Sequence, residues 1–411
     1  MANLRKDKKG RGLHTGEQQR KDGIYLYRYT DITGKRRTVY AGDLPELRQK
    51  EKQIQKDLDD GIHTDAITKN MTLNEFFEQY ISVKMASKST IKDYRNLWRC
   101  HVKEALGYYK ITQVSTIHIK AFYAGLTKQG YRYYYIRNIH RLLSSVLGMA
   151  VENDIIRKNP ANKAFDAKCG VEPKEKDILT ISQQEQLFAF LENDATFRMY
   201  TPIITIILET GLRCGELVGL TWNDVSLEEK TVSIDHQLMY RNFGDGCKMY
   251  IAAPKTKSGI RIIPLTNKAV NAFKQQKELN KTLGRTCNKI VDGYTNFIFL
   301  TSKGTPYLPI AINSVLYEVS AAINKAEKKK AVSSDYVPEY LPKFSAHDLR
   351  HTFCTNKARQ GMNLKSLQYV MGHSNSNTTF DIYNHMDNLE DVRYEMIKCE
   401  DVAYNNYSAT L

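Results

Sequence analysis

Nowhere in the 411 residues is there a Cys-x-x-Cys pair, and the seven cysteines (Cys100, Cys169, Cys214, Cys247, Cys287, Cys354 and Cys399) are odd in number and scattered. No disulfide framework or paired-cysteine motif is expected from them, so they read as reduced and structural. Long apolar runs are missing too. The longest, "TPIITIIL" at 201 to 208, is far too short to cross a bilayer. The basic N-terminus "MANLRKDKKGRG" is followed by no apolar h-region, so it does not read as a secretory signal and a cytoplasmic protein is expected. Internal repeats and low-complexity tracts are absent. Negative charge is in short supply, with 45 Asp+Glu against 60 Lys+Arg.

What is present is the composition of a soluble globular chain, 42% hydrophobic and 26% charged, long enough for two or three domains. The net charge of +15 is unevenly spread. Residues 1 to 70 carry 16 Lys+Arg against 11 Asp+Glu, residues 71 to 170 carry 16 against 7, and the rest 28 against 27. A surplus concentrated in the middle segment points to a polyanionic partner gripped there, nucleic acid above all.

Three segments follow from local patterns. In "GIYLYRYTDITGKRRTVYAG" (23 to 42) two aromatic, β-rich runs flank Asp31-Ile32-Thr33-Gly34, which reads as a hairpin. A helix then places Leu44, Leu47, Ile54 and Leu58 on one face and ends at Gly61. Arg28, Lys35, Arg36 and Arg37 on this small β-sheet-plus-helix domain, residues 1–65, suit a strand laid in a DNA groove. After a linker, Thr72 and Glu75 form a capping box that opens an all-α domain, residues 71–165, with helices near 72 to 84, 89 to 103, 116 to 128 and 132 to 153. Its "YRYYYIRNIHR" (131 to 141) interleaves basic and aromatic groups, as backbone contact to DNA would use. A second linker is read at 165 to 177, and Ser182 with Glu185 is read as the next helix cap. The remainder, 175–411, mixes helices with strand candidates near 231 to 240, 248 to 253 and 260 to 264, an α+β pattern.

Five motifs in this last segment carry chemistry in a fixed order: "TGLRCGE" with Arg213, "KTKSG" with Lys257, "HDLRH" with His347 and Arg350, "MGHSN" with His373, and "TTFDIYNH" with Tyr383. Each alone is weak. Together, Arg, Lys, His-x-x-Arg, Gly-His and a final Tyr resemble the tyrosine recombinase (integrase) family, and the three-segment layout looks closest to the integrases of conjugative transposons.

The resemblance implies a site-specific DNA recombinase that integrates and excises a mobile element on bacterial DNA. It implies an N-terminal domain for arm-type DNA sites, a helical core-binding domain and a tyrosine-recombinase catalytic domain, with four protomers on DNA and an excisionase partner. It also makes Tyr383 the nucleophile, Arg213 and Arg350 the binders of the scissile phosphate, Lys257 the general acid, and His347 and His373 their assistants. Cys214 departs from the small or apolar residue common at its position but leaves Arg213 in register. Lys255 is the nearest rival to Lys257. The tail after Tyr383, with Leu389, Val392, Met396 and Ile397 near helical spacing, could pack on its own domain or on a neighbour.

The chemistry asks for the same groups independently. A tyrosine with pKa about 10 is only ~0.1% ionised at pH 7, so it needs a base during attack. Charge building on the non-bridging oxygens suits two guanidiniums with planar, paired donors. The departing 5′-oxygen needs a proton, which a lysine on a turn can reach. The 3′-phosphotyrosine bond conserves the energy of the broken phosphodiester, so no cofactor, ATP or metal is called for. Two other readings of the same residues exist. His347 and His351 are four apart, the spacing of zinc hydrolases, although Asp348 stands where that motif needs Glu. A non-cleaving DNA-binding regulator on a recombinase scaffold would show the same charge and domains.

Overall fold

The computed structural model describes residues 5–61, 70–172, 178–244, 246–254, 256–333 and 337–374, which divide into two compact units, 1–174 and 175–411. The first begins with an antiparallel sheet of three strands, β1 (Glu17–Gln19), β2 (Tyr25–Thr30) and β3 (Arg36–Ala41), in that order. Two of these are the anticipated hairpin. Its turn is tied by the Asp31 carboxylate, which accepts from the backbone of Thr33 and Lys35 and from Arg37 Nε at 2.7 Å. Period-two alternation sends Tyr25, Tyr27 and Ala41 inward against Leu44, Leu47 and Ile54 of helix α1 (Leu44–Asp59), capped by Asp43. β1 was not foreseen because its inward residue is charged: Glu17 is buried and held by Arg48 Nε at 3.1 Å, so no apolar alternation marks the strand.

The helical part of this unit has α2 (Leu73–Val83), opened by the Thr72–Glu75 capping box, α3 (Lys88–Leu97), which runs on into a wide π turn at Trp98–Val102, α4 (Thr116–Lys128) and α5 (Tyr133–Glu152). Ile136, Ile139, Leu143, Val146 and Leu147 form the buried stripe of α5, facing Phe76 and Phe77, and Phe77 stacks on Trp98 with ring centroids 3.9 Å apart. The linker read at 165 to 177 is in part no linker. Phe165 stacks on His140, and Val171 exchanges backbone hydrogen bonds with Tyr131 and Tyr133.

The second unit is α+β. α6 (Ile181–Asn193) is capped by Thr180 and Gln183, a Thr-x-x-Gln box two residues before the one read from Ser182; the Ser182 hydroxyl bonds Glu339 instead. α7 (Thr201–Thr210) is apolar all round and packs between other helices. After α8 (Cys214–Gly219), strands β4 (Val225–Ser226), β5 (Thr231–Ile234), β6 (Gln237–Asn242), β7 (Cys247–Ala252) and β8 (Arg261–Pro264) form a sheet ordered β4-β5-β8 and a separate β6-β7 hairpin. The single strand expected at 231 to 240 thus splits, because His236 turns inward to Gly219 O at 2.8 Å and the chain changes sheets there. α9 (Asn267–Thr282), α10 (Pro309–Ser333), α11 (Ala346–Arg359) and α12 (Leu364–Met371) complete the described part, with α9 and α11 packed on α7.

Candidate active site

The carboxyl end of α12 is where the separate motifs meet. A helix leaves its last carbonyls unpaired and carries partial negative charge there. At α12 three consecutive carbonyls each take a different guanidinium. Val370 O accepts from Arg261 Nε at 2.7 Å, Met371 O from Arg350 Nη2, and Gly372 O from Arg213 Nη2 at 2.8 Å. Gly372 is in the left-handed region, φ 62°, and a Cβ there would lie 2.9 Å from Arg261 Nη1, so the corner requires glycine twice over.

Arg213 precedes α8. Its backbone N–H and its Nη1 both donate to Glu216, the latter at 2.7 Å, while 38% of the side chain stays exposed. Gly211, φ 63°, ends α7 and turns its carbonyl to Arg350 Nη1 at 2.6 Å. Arg350 comes from α11, is only 2% exposed, and also donates from Nη2 to His373 Nε2 at 3.0 Å. Burial, then the charge of Arg213, pulls the Arg350 guanidinium down to about 9, which leaves it charged at neutral pH. Burial, and then the positive charges of Arg350, Arg213 and Arg261, pull His373 down to about 4, so its ring is neutral. Because Nε2 accepts from Arg350, the proton of that neutral ring sits on Nδ1.

Lys257 is exposed in a one-turn 3₁₀ segment, Lys257–Gly259, that leads into β8. The carbonyl of Gly259 accepts from Arg261 Nη1 at 2.9 Å, and the carbonyl of Ser258 faces Gly372. His347 stands exposed in the first turn of α11, which is capped by Ser345 and Asp348, and its Nε2 lies 3.0 Å from Nε2 of His351. His351, the second residue of the zinc-type spacing, is therefore a buried hydrogen-bonding neighbour of His347. The groups of three metal-binding side chains found among the described residues lie elsewhere, at His14, Glu17 and Glu51 and at Asp224, Asp235 and His236. Tyr383, the rival Lys255 and the tail with Leu389, Val392, Met396 and Ile397 lie outside the described residues. Cys214 points its thiol at Pro309 O, 3.4 Å away, and burial pushes it up to about 12, so its sulfur stays a protonated packing group.

Two residues that sequence reasoning did not single out hold this arrangement. Glu216 accepts from Arg213 and from Arg261, whose Nη2 is 2.9 Å from Glu216 Oε2 with both side chains buried. Burial alone would raise the Glu216 carboxyl, but the Arg261 hydrogen bonds and the charges of Arg261 and Arg213 outweigh it and hold it below its usual range. The available signals were local: an acid three residues after Arg213, as in a capping box, and an arginine at an inward position of "RIIPL". Three guanidiniums against one carboxylate, beside a neutral imidazole N–H, make a pocket for an oxyanion.

Comparison with known proteins agrees with this chemistry. Residues 177–390 match the Phage integrase family, residues 1–58 the DNA binding domain of tn916 integrase, and residues 72–127 the Phage integrase, N-terminal SAM-like domain. The transposase from transposon Tn916 of Enterococcus faecalis is 37% identical over 399 residues, 94% of either chain. The transposase from transposon Tn1545 of Streptococcus pneumoniae is equally similar, at 37% over 399 residues and 94% of either chain. The Tn1549 transposon integrase, solved in complex with transposon right end DNA, superposes with a TM-score of 0.69 at 32% identity, over 80% of this chain and 99% of that one. The lambda integrase tetramer bound to a Holliday junction shares the fold, with a TM-score of 0.53 at 17% identity over 90% of this chain and 95% of that one.

Proposed function

Since this chain belongs to the phage integrase family and is a tyrosine-type site-specific DNA recombinase that integrates and excises a conjugative transposon, we propose that the cluster at the end of α12 is its strand-cleavage site. The observation that carries the assignment is the pair of arginines, Arg213 and Arg350, drawn from different helices onto adjacent carbonyls of one corner beside His373.

In this reading the scissile phosphate of double-stranded DNA sits over the exposed part of Arg213, with Arg350 and the Nδ1–H of His373 completing the donors to its non-bridging oxygens. Tyr383 Oη attacks phosphorus, His347 takes the phenolic proton, and the P–O5′ bond breaks. Lys257 protonates the departing 5′-oxygen, leaving a 3′-phosphotyrosine. Attack by a 5′-hydroxyl from a second duplex reverses each step and reseals a new strand pairing. The donors act where charge grows on phosphorus oxygens, and loss of one costs about 100-fold to 1,000-fold in rate.

Residues 1–65 serve arm-type sites, 71–165 the core site, and 175–411 cleavage. Two duplexes cut on both strands need four active sites, hence a homotetramer on DNA, and an excisionase would bias direction. Action on double-stranded DNA is what supports a cytoplasmic site of action; among the described residues no helix is long and apolar enough to cross a membrane.

The test is covalent capture. Full-length protein is incubated with a supercoiled plasmid carrying the transposon end, quenched in detergent and separated under denaturing conditions. A protein–DNA adduct that vanishes in Tyr383→Phe is the expected result. Specific binding with no adduct in the unaltered protein would overturn the proposal in favour of a non-cleaving regulator.

A further inference from the structure

Arg261 takes no part in the chemical steps assigned above, yet its side chain makes four hydrogen bonds in the pocket. Its side chain is fully buried. Nε donates to Val370 O at 2.7 Å, Nη1 to Gly259 O at 2.9 Å and to Glu216 Oε1 at 3.2 Å, and Nη2 to Glu216 Oε2 at 2.9 Å. These acceptors belong to three different segments: the end of α12 that carries His373, the turn that carries Lys257, and helix α8, which Arg213 precedes. β8 places the guanidinium there by simple alternation, Arg261 and Ile263 pointing inward and Ile262 and Pro264 outward.

We infer that Arg261 is a positioning residue that fixes the turn bearing Lys257 against the arginine-bound corner of α12, so that the general acid and the phosphate clamp keep one register. The inference rests on the reading of Lys257 as the proton donor. The turn is otherwise held by little. Lys257 and Ser258 are exposed, and Ser258 faces Thr256 within the same turn. Among the described residues its hydrogen bond on the α12 side is the Gly259 carbonyl on Arg261, beside the Ser258 carbonyl that faces Gly372, while Gly259 itself packs against Pro254. Only a planar fork reaches all four acceptors at once, and lysine could satisfy one or two of them. Glu216 is bonded by the same fork, but it acts on Arg213 and not on the turn, which gives a comparator that breaks one branch and spares the other.

The discriminating probe is a DNA substrate with sulfur in place of the 5′-bridging oxygen at the scissile phosphate. A thiolate leaves without being protonated, so a lesion in the acid is masked while a lesion in the clamp is not. Single-turnover adduct formation is measured on oxygen and sulfur substrates for the unaltered protein, Lys257→Ala, Arg261→Met, Arg261→Lys and Glu216→Gln, with DNA affinity and melting temperature recorded for each. On the oxygen substrate Arg261→Met is expected to lose about 100-fold or more. On sulfur both Lys257→Ala and Arg261→Met should regain at least about tenfold beyond the gain of the unaltered protein, and Glu216→Gln no such gain. If Lys257→Ala is restored by sulfur and Arg261→Met is not, the positioning role is wrong while the acid assignment stands. If Lys257→Ala itself is not restored, the acid assignment fails and takes this inference with it. Should Arg261→Met not fold, Arg261→Lys carries the same comparison, and an oxygen-to-sulfur ratio equal to that of the unaltered protein would refute the inference.

Discussion

Arg350 Nη2 and His373 Nε2 lie 3.0 Å apart, with the imidazole as acceptor, so a guanidinium dictates both the tautomer and the charge of its neighbour. Protonating His373 would charge a buried ring and place a fourth positive group among Arg350, Arg213 and Arg261, which is why its pKa falls to about 4 from an ordinary 6.5. The sign of the pH effect follows. Between these values the unfolded chain binds a proton that the folded one refuses, so the stability is fully present above pH 6.5 and is lost as pH falls toward 4. His373→Gln keeps a donor in place without titrating. Its melting temperature should therefore fall less than that of the unaltered protein when pH is lowered from 7.5 to 4.5; parallel curves would show that His373 is not the depressed group.

Arg350→Lys tests whether the residue supplies charge or geometry. Lysine retains the charge but cannot reach Gly211 O, Met371 O and His373 Nε2 together, and each buried carbonyl left without a donor costs about 1–3 kcal/mol. The variant should be about 2–4 kcal/mol less stable by urea denaturation and form adduct about 100-fold to 1,000-fold more slowly. Near-normal adduct rates in this variant would mean that point charge is enough.

How much of this was open to sequence reading depends on how local the determining interactions are. The helix at 116 to 128 and the Thr72–Glu75 cap could be read because apolar spacing and capping act within a few residues. Arg213 and Arg350 can be singled out because their flanking motifs are compact. Arg261 and Glu216 are 45 positions apart, and their pairing exists only once β8 lies beside α8. The break at Asp235-His236 was invisible for the same reason: β-favouring residues continue on both sides, and the change of sheet is set by a bond to Gly219, 17 residues back. The early cap of α6 was a nearer miss, since Thr180 and Gln183 form as good a box as Ser182 and Glu185, and register against the rest of the unit decides between them.

Gly211 offers a prediction about how the site is seated. It ends α7 in the left-handed region, and a Cβ there would come within 2.3 Å of the Phe353 ring on α11. Gly211→Ala therefore combines a backbone penalty of about 1 kcal/mol with overpacking of about 1–3 kcal/mol, and it displaces the carbonyl that holds Arg350. Both melting temperature and adduct rate should drop, the rate by more than lost stability alone explains at a temperature where the variant is fully folded. A folded variant with an unchanged rate would show that Arg350 does not depend on that carbonyl.

The N-terminal sheet separates its two faces by register, and that separation can be read out in salt. Leu26 pairs with Tyr40, Arg28 with Thr38 and Thr30 with Arg36, which puts Arg28, Arg36 and Tyr40 on the face away from α1, all exposed, whereas Arg37 points the other way and ties down Asp31. A phosphate-contacting side chain contributes roughly one unit to the slope of log affinity against log salt, whereas a turn-stabilising one does not. Arg28→Ala and Arg36→Ala should each weaken binding of the full chain to arm-site DNA and reduce that slope by about one, with core-site binding unchanged. Arg37→Ala should lower the melting temperature of this region and leave the slope as it was. If Arg37→Ala flattens the slope and Arg28→Ala does not, the DNA lies against the other face of the sheet, and α1, which covers that face here, would have to move to admit it.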